Sequence, residues 1–248
     1  MRAIFGKPPP TVFHVTHYKA GSQWIYAILR NCLPPRRLVQ PQFNRGQFLD
    51  QPVLPGKVYP TLYVTRDEFE AIELPPRWRR FVVIRDLRDT LVSGYFSIKL
   101  SHPAFESEPV QRLRETLRST SLEEGLVHMT HTWLATSARI QESWLDEGQA
   151  LLRYEDLLER DIGILEPLLI DECALPVARW RLRRAIKAAR FERASGGRAR
   201  GTEDVNAHQR KGVAGDWRTY FTPAVKEAFK DAYGEIVIAA GYETDTGW

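Results

Sequence analysis

The stretch "TVFHVTHYKAGSQWIYAILRNC", residues 11–32, constrains the fold more than any other. Its first six residues are mostly apolar or β-branched, which suits a strand buried on both faces. Trp24, Ile25, Ile28, Leu29 and Cys32 then recur at helical spacing. The link between them is short and holds a lysine and a glycine. A strand exit that passes at once into a helix N-terminus presents unpaired N–H groups and the positive end of a dipole, so it suits an anion. The expectation is a phosphate or sulfate cradle.

The same strand-then-helix unit recurs at "TLYVT" (61–65), "FVVIR" (81–85) and "ALLRY" (150–154). That alternation predicts an α/β fold with a parallel sheet flanked by helices. Leu122, Leu126, Met129, Trp133, Ile140 and Trp144 form a second helical stripe opening at a Ser121-x-x-Glu124 capping box, and Val225, Phe229, Tyr233, Ile236 and Ala240 form a third. No block is left over for another core, so residues 1–248 read as a single domain. Segments 34–60 and 194–215 read as long surface connections, with 194–209 mobile until something pins it.

Composition excludes more than it selects. Cys32 and Cys173 stand far apart and join no Cys/His cluster, which argues against a disulfide framework or a metal site. His128 and His131 have no third ligand near in sequence. No apolar run is long enough to span a bilayer and no secretion-signal pattern is evident, so a cytoplasmic location is expected. The net charge is +4, yet Pro176–Arg200 carries nine Arg or Lys against one Glu. That stretch is either a polyanion-facing surface or a solvated helix face.

Three further segments carry anion chemistry. "FVVIRDLRDTLVSGYF" places Arg85 at a strand end and Ser93 eight residues on, where a guanidinium fork and a hydroxyl can share a phosphate. "LLRYEDLLERD" places Tyr154 at another strand end, and "RKGVAGDWRTYFT" offers Arg210 and Lys211 beside Gly212. A Walker A loop is absent, because the lysine precedes the glycine and no Gly-Lys-Ser/Thr follows. This disfavours a nucleoside triphosphatase.

In this order the four segments resemble the soluble, cytosolic-type sulfotransferases that use 3′-phosphoadenosine 5′-phosphosulfate (PAPS). The family's PKSGTTW signature appears as Tyr18-Lys19-Ala20-Gly21-Ser22-Gln23-Trp24, its Arg/Ser pair as Arg85 and Ser93, its YED element as Tyr154-Glu155-Asp156, and its RKGxxGDW is complete from Arg210 to Trp217. Arg190-Phe191-Glu192 is a weaker match. The resemblance implies a P-loop-like sulfotransferase fold in which Lys19, Ala20, Gly21, Ser22, Gln23 and Trp24 line the 5′-phosphosulfate loop. It also implies that Arg85, Ser93, Arg210, Lys211 and Gly212 hold the 3′-phosphate, and that Trp24, Tyr154 and Phe191 enclose the adenine. Lys19 and Ser93 then also belong to the catalytic set, and no metal is required.

Each residue has a plainer role open to it. Trp24, Tyr154 and Phe191 can be packing residues, Arg85 can pair with Asp86 or Asp89, and Ser93 can bond its own backbone. The match also breaks at one point: where many relatives carry Lys-Thr-His, this chain reads "LYVTRDEFE". Asp67 and His17 are the candidates for the general base, with His102 behind them. Asp67 can instead be a helix N-cap working with Glu70. The expected reaction moves a sulfo group from PAPS to a hydroxyl, or less favourably an amine, of a small-molecule, glycan or lipid acceptor, with PAP as product. Nucleic acid is not an expected partner. Phe43, Phe48, Tyr59, Tyr95 and Phe96 hint at an apolar or phenolic acceptor, or are core residues. A non-catalytic PAP-binding module and a kinase-like phosphoryl transferase are the alternatives. Relatives often pair through a Lys-x-x-x-Thr-Val-x-x-x-Glu element, but here Pro223 replaces the valine. No dimer through residues 218–227 is therefore expected.

Overall fold

The computed structural model describes residues 9–41, 51–101, 107–145 and 150–248. Four strands, β1 (Thr11–Thr16), β2 (Val58–Leu62), β3 (Trp78–Ile84) and β4 (Leu151–Arg153), form one parallel sheet in the order β2-β1-β3-β4. The helices in chain order are α1 (Ser22–Cys32), α2 (Arg66–Glu70), α3 (Leu87–Phe96), α4 (Glu108–Ser119), α5 (Leu122–His131), α6 (Leu134–Ser143), α7 (Tyr154–Glu166), α8 (Arg179–Ala188), α9 (Phe191–Ala194) and α10 (Pro223–Ala239). The chain divides into two compact units, each assembled from three separate stretches. The first comprises Met1–His17, Gly21–Ile84 and Gly148–Arg190; the second comprises Tyr18–Ala20, Arg85–Glu147 and Phe191–Trp248.

The first unit holds the whole sheet. Every residue of β1 is buried, as its nearly uniform apolar character predicts for a strand with a neighbour on each side. One face, through Val12, Val58, Phe81 and Val83, packs with Ile25, Ile28 and Leu29 of α1, Leu157 and Leu165 of α7, and Leu182 and Ile186 of α8. On the opposite face Phe13 stacks on Tyr59 and meets Phe69 of α2 edge-on.

The second strand lies earlier than residues 61–65 predict, because Thr65 leaves the sheet to cap α2. Pro60 inside this strand has no N–H, and the β1–β2 register shifts between Phe13 and Val15. Across that irregularity the His14 ring donates from Nδ1 to Pro60 O at 2.5 Å. Burial pushes the His14 imidazole down to about 4, despite that hydrogen bond, so the ring is neutral there.

The second unit is helical. Leu87, Leu91, Tyr95, Leu126, Met129, Leu134, Val225, Phe229 and Val237 share its core. The stripe from Leu122 to Trp144 is two helices rather than one, broken at Thr132, whose φ of −119° and ψ of −79° depart from helical values. After the break Trp133 lies against Gly94 of α3, where any Cβ would overlap its ring. The Ser121/Glu124 capping box is present. Thr222 caps α10 and Pro223 occupies its first turn, so this part of the segment 218–227 is a helix start. Cys32 and Cys173 are free and buried, their thiols pushed up to about 11 and about 12, mainly by desolvation.

Candidate active site

The turn between β1 and α1 is built from two left-handed residues, Lys19 at φ 65° and Gly21 at φ 83°. A left-handed lysine is uncommon backbone and marks a turn held by its surroundings. Gly21 caps α1 without a side-chain hydrogen bond, and a Cβ there would stand 2.8 Å from Tyr154 Cδ2. The residue must therefore be glycine for two reasons at once. In the same unit Ser22 Oγ bonds the Tyr63 hydroxyl at 2.8 Å, and Trp24 meets Tyr154 edge-to-face at 6.1 Å. Both aromatic rings pack on the core of that unit while keeping part of their surface open. Gln23 is exposed on the first turn of α1, and Ala20 is buried.

In the second unit three cations converge. Arg85 Nη1 donates to Lys19 O at 2.8 Å and so fixes the turn from below. The Lys19 ammonium is pushed down to about 8, first by desolvation and then by the charges of Arg85 and Arg210. Among the described residues it has no carboxylate partner. Such a cation is poised to receive an anion.

Arg210 and Lys211 are held differently. Arg210 pairs with Glu203 and Asp216, bonds the Tyr220 hydroxyl at 3.2 Å and lies over the Phe96 ring at 4.7 Å. Lys211 Nζ meets Asp216 at 2.6 Å. Burial would lower the charge preference of Arg210, yet its carboxylates outweigh that and raise it. For Lys211 the hydrogen bond to Asp216 is the main cause of a raised value. Gly212, at φ 69°, lies so close to Phe191 that a Cβ would overlap the ring. Arg198 stacks over the other side of this neighbourhood, its guanidinium 5.3 Å from the Phe191 centroid.

Several plainer roles can now be sorted. Asp86 caps α3 and takes the Nε of Arg88 at 2.9 Å, while Asp89 accepts the N–H groups of Gly215 at 2.6 Å and Trp217 at 2.9 Å. Both carboxylates thus have structural work. Ser93 makes no side-chain hydrogen bond among the described residues, so the self-bonded serine is not what is seen. Asp67 is not the N-cap of α2. Thr65 is, with Glu68 completing the box, and Glu70 pairs with Arg66 at 2.8 Å. Asp67 stands exposed in the first turn, whereas His17 is almost wholly closed to solvent at 1% exposure. His102 lies outside the described residues, as do Phe43 and Phe48.

Segment 194–209 is tied down by its own chain. Arg198 donates to the carbonyls of Gln209, Thr202 at 3.1 Å and Arg210 at 2.9 Å, and Gly201 N–H reaches Lys211 O at 2.9 Å. Contacts within the chain supply the pinning. One residue of this segment escaped the sequence reading. His208 is solvent-accessible, and its imidazole is lowered by desolvation and by the Lys19 charge, so it is neutral near pH 7 and within electrostatic reach of that ammonium. No motif flags it. Tyr63, Glu203, Asp216 and Tyr220 were missed for the same reason, since each acts through a tertiary contact.

The parallel sheet and the helix that opens at Gly21 define a P-loop-like α/β fold. The chain belongs to the sulfotransferase domain family, whose model matches residues 9–241. A 3-alpha-hydroxysteroid sulfotransferase from Cavia porcellus is 26% identical over 250 residues, covering 92% of this chain and 83% of that protein. Among solved structures, mouse sulfotransferase SULT7A1 complexed with PAP superposes with a TM-score of 0.61 at 16% identity, covering 96% of this chain and 89% of that one. Retinol dehydratase in complex with retinol and PAP gives a TM-score of 0.55 at 15% identity, covering 94% and 82%. Among the described residues no group of three His, Cys, Asp or Glu could hold a metal ion, and no helix is long and apolar enough to cross a membrane.

Proposed function

We propose that this sulfotransferase moves the sulfo group of PAPS to a hydroxyl of a small-molecule, glycan or lipid acceptor, with residues 1–248 acting as one catalytic domain in the cytoplasm. The observation that carries the reading is Lys19: a half-buried ammonium, depressed to about 8, beside two arginines and without a carboxylate partner among the described residues. An acceptor oxygen attacks sulfur in line, the bond from sulfur to the 5′-phosphate oxygen breaks, and the electron pair stays on that oxygen as PAP leaves. Lys19 stabilises the charge that grows there. Gly21, Ser22, Gln23 and Ala20 supply the turn, Trp24, Tyr154 and Phe191 the aromatic faces for adenine, and Arg85, Ser93, Arg210, Lys211 and Gly212 the 3′-phosphate contacts. The names of the guinea-pig relative and of the retinol complex favour a hydroxyl acceptor over an amine.

The acceptor proton needs a base. His208 fits that task better than Asp67 or His17: it is accessible, held neutral near pH 7, and under the influence of the same lysine. The helical start at Thr222–Pro223 supports the reading that no strand-like pairing forms there.

Incubation with radiolabelled PAPS and a panel of steroid, phenol, alcohol and amine acceptors tests the proposal, alongside PAP and Mg-ATP binding by calorimetry. Label transfer to a hydroxyl acceptor with PAP binding supports it. PAP binding without transfer to any acceptor would favour a non-catalytic nucleotide module, and tight Mg-ATP binding with indifference to PAP would favour a phosphoryl transferase.

A further inference from the structure

Helix α8 holds none of the residues assigned above to the reaction, and its outward face is unusual. Leu182, Ala185 and Ile186 turn inward to the core of the first unit. Trp180, Arg181, Arg184 and Lys187 are all exposed, and Trp180, at 67%, is the one aromatic among the exposed large hydrophobic side chains of the described residues. Spacings of one, four and seven place these four on one side of the helix.

The charges on that side are not spent internally. Glu166 and Asp171 engage Arg179 at 3.1 Å and 2.6 Å, and Glu166 also takes Arg183. Arg181, Arg184 and Lys187 have no ion-pair partner among the described residues. Of the elements beside α8, α1 contains no acidic residue and the turn Pro35–Arg37 that follows it adds two arginines, whereas α7 and the segment after it bring carboxylates, of which Glu166 and Asp171 are taken by Arg179 and Arg183. The Arg181 charge is felt at Cys32, at the end of α1. The chain leading into α8 is apolar as well, with Ala174, Pro176 and Ala178 exposed at alternate positions.

We infer that this face, the 174–178 lead-in with Trp180, Arg181, Arg184 and Lys187, docks on an anionic phospholipid bilayer such as one containing phosphatidylserine. An indole lies favourably at the boundary of headgroup and acyl chain, small apolar residues enter beside it, and arginines reach the phosphates above. Charge complementarity selects the occupant. A second copy presenting the same basic face is repelled, and a nucleic acid has no use for the alanine and proline tip. The contact would place an enzyme of this class against membrane-borne acceptors.

Flotation with phosphatidylserine/phosphatidylcholine vesicles, compared with phosphatidylcholine alone, tests the inference on the whole chain. The wild type floats with the anionic vesicles at low salt and is released by high salt. Arg181→Ala/Arg184→Ala/Lys187→Ala loses roughly 10²-fold in partition, at about 1 kcal/mol per cation. Trp180→Ala loses about tenfold, and both variants melt and bind PAP like the wild type. Equal partition onto neutral vesicles, or an unaltered partition of the triple variant, overturns it. So does a face that ignores both vesicle types but captures a single-stranded RNA oligonucleotide in a Trp180-dependent manner.

Discussion

Arg88 and Lys19 are both cations withdrawn from water within the second unit, and the fold treats them in opposite ways. The Arg88 guanidinium pairs with Asp86 at 2.8 Å and Glu243 at 2.6 Å, and it lies 4.0 Å from the Trp217 centroid and 4.3 Å from that of Trp248. Its carboxylates outweigh its burial and strengthen its hold on the proton. Lys19 has no carboxylate partner among the described residues, and burial together with the charges of Arg85 and Arg210 weakens its hold. A satisfied buried charge is a structural device, whereas one kept without a counterion costs stability and persists where function needs it. The contrast separates architecture from chemistry without reference to any motif.

The largest effect expected from breaking this contrast is on turnover. Lys19→Ala should lower sulfo transfer by about 10²–10³-fold at saturating PAPS, as loss of one preorganised transition-state contact does, while leaving the melting temperature unchanged or raised. Arg88→Met should do the reverse. It leaves Asp86 and Glu243 buried without their cation, and should destabilise the fold by about 3–5 kcal/mol in urea unfolding. A destabilised Lys19→Ala with normal turnover would erase the distinction.

Substitutions at the base come next. His208→Asn should cut turnover by about 10²-fold with nucleotide affinity preserved, and wild-type activity should hold below pH 6.5 because the His208 value is depressed. Protonation on the acid side removes the acceptor, so the rate falls as pH drops through that lowered value. Asp67→Asn should leave the rate nearly unchanged, since the residue does not cap α2 and stands exposed in its first turn. A large loss for Asp67→Asn with none for His208→Asn would return the role to the carboxylate. The smallest effect belongs to Thr65→Ala, a cap deletion worth about 1 kcal/mol of stability.

Much of the fold was legible because burial on two faces leaves a one-letter trace. β1 is recognisable from "TVFHVT", since a strand with neighbours on both sides tolerates little polar character. The end of β2 was not, because Thr65 reads as a good strand residue until its hydroxyl is seen accepting Glu68 N–H at 3.3 Å. The break at Thr132 was hidden for a related reason: the apolar period runs unbroken through it, and only the approach of Trp133 to Gly94 shows why the chain turns. For the candidate site, motif order named Lys19, Arg85, Arg210 and Lys211, but not which of them would be paired with carboxylates. That depends on Glu203 and Asp216 arriving from the fold. His208 carries no local signal and emerges only from accessibility beside a charge.

The central claim is that the Lys19 ammonium is held ready for the nucleotide's anion, and PAP calorimetry across pH tests it most directly. A bound anion favours the charged form, so the Lys19 value rises on binding and, at pH above about 8, binding takes up a proton. Affinity should therefore be level between pH 6.5 and 7.5, fall as pH rises through 8 toward 9.5, and show buffer-dependent enthalpies that report the proton uptake. In Lys19→Met the affinity should be lower, and this alkaline decline should vanish. An identical alkaline decline in wild type and Lys19→Met, or wild-type affinity independent of pH across the range, would contradict the account.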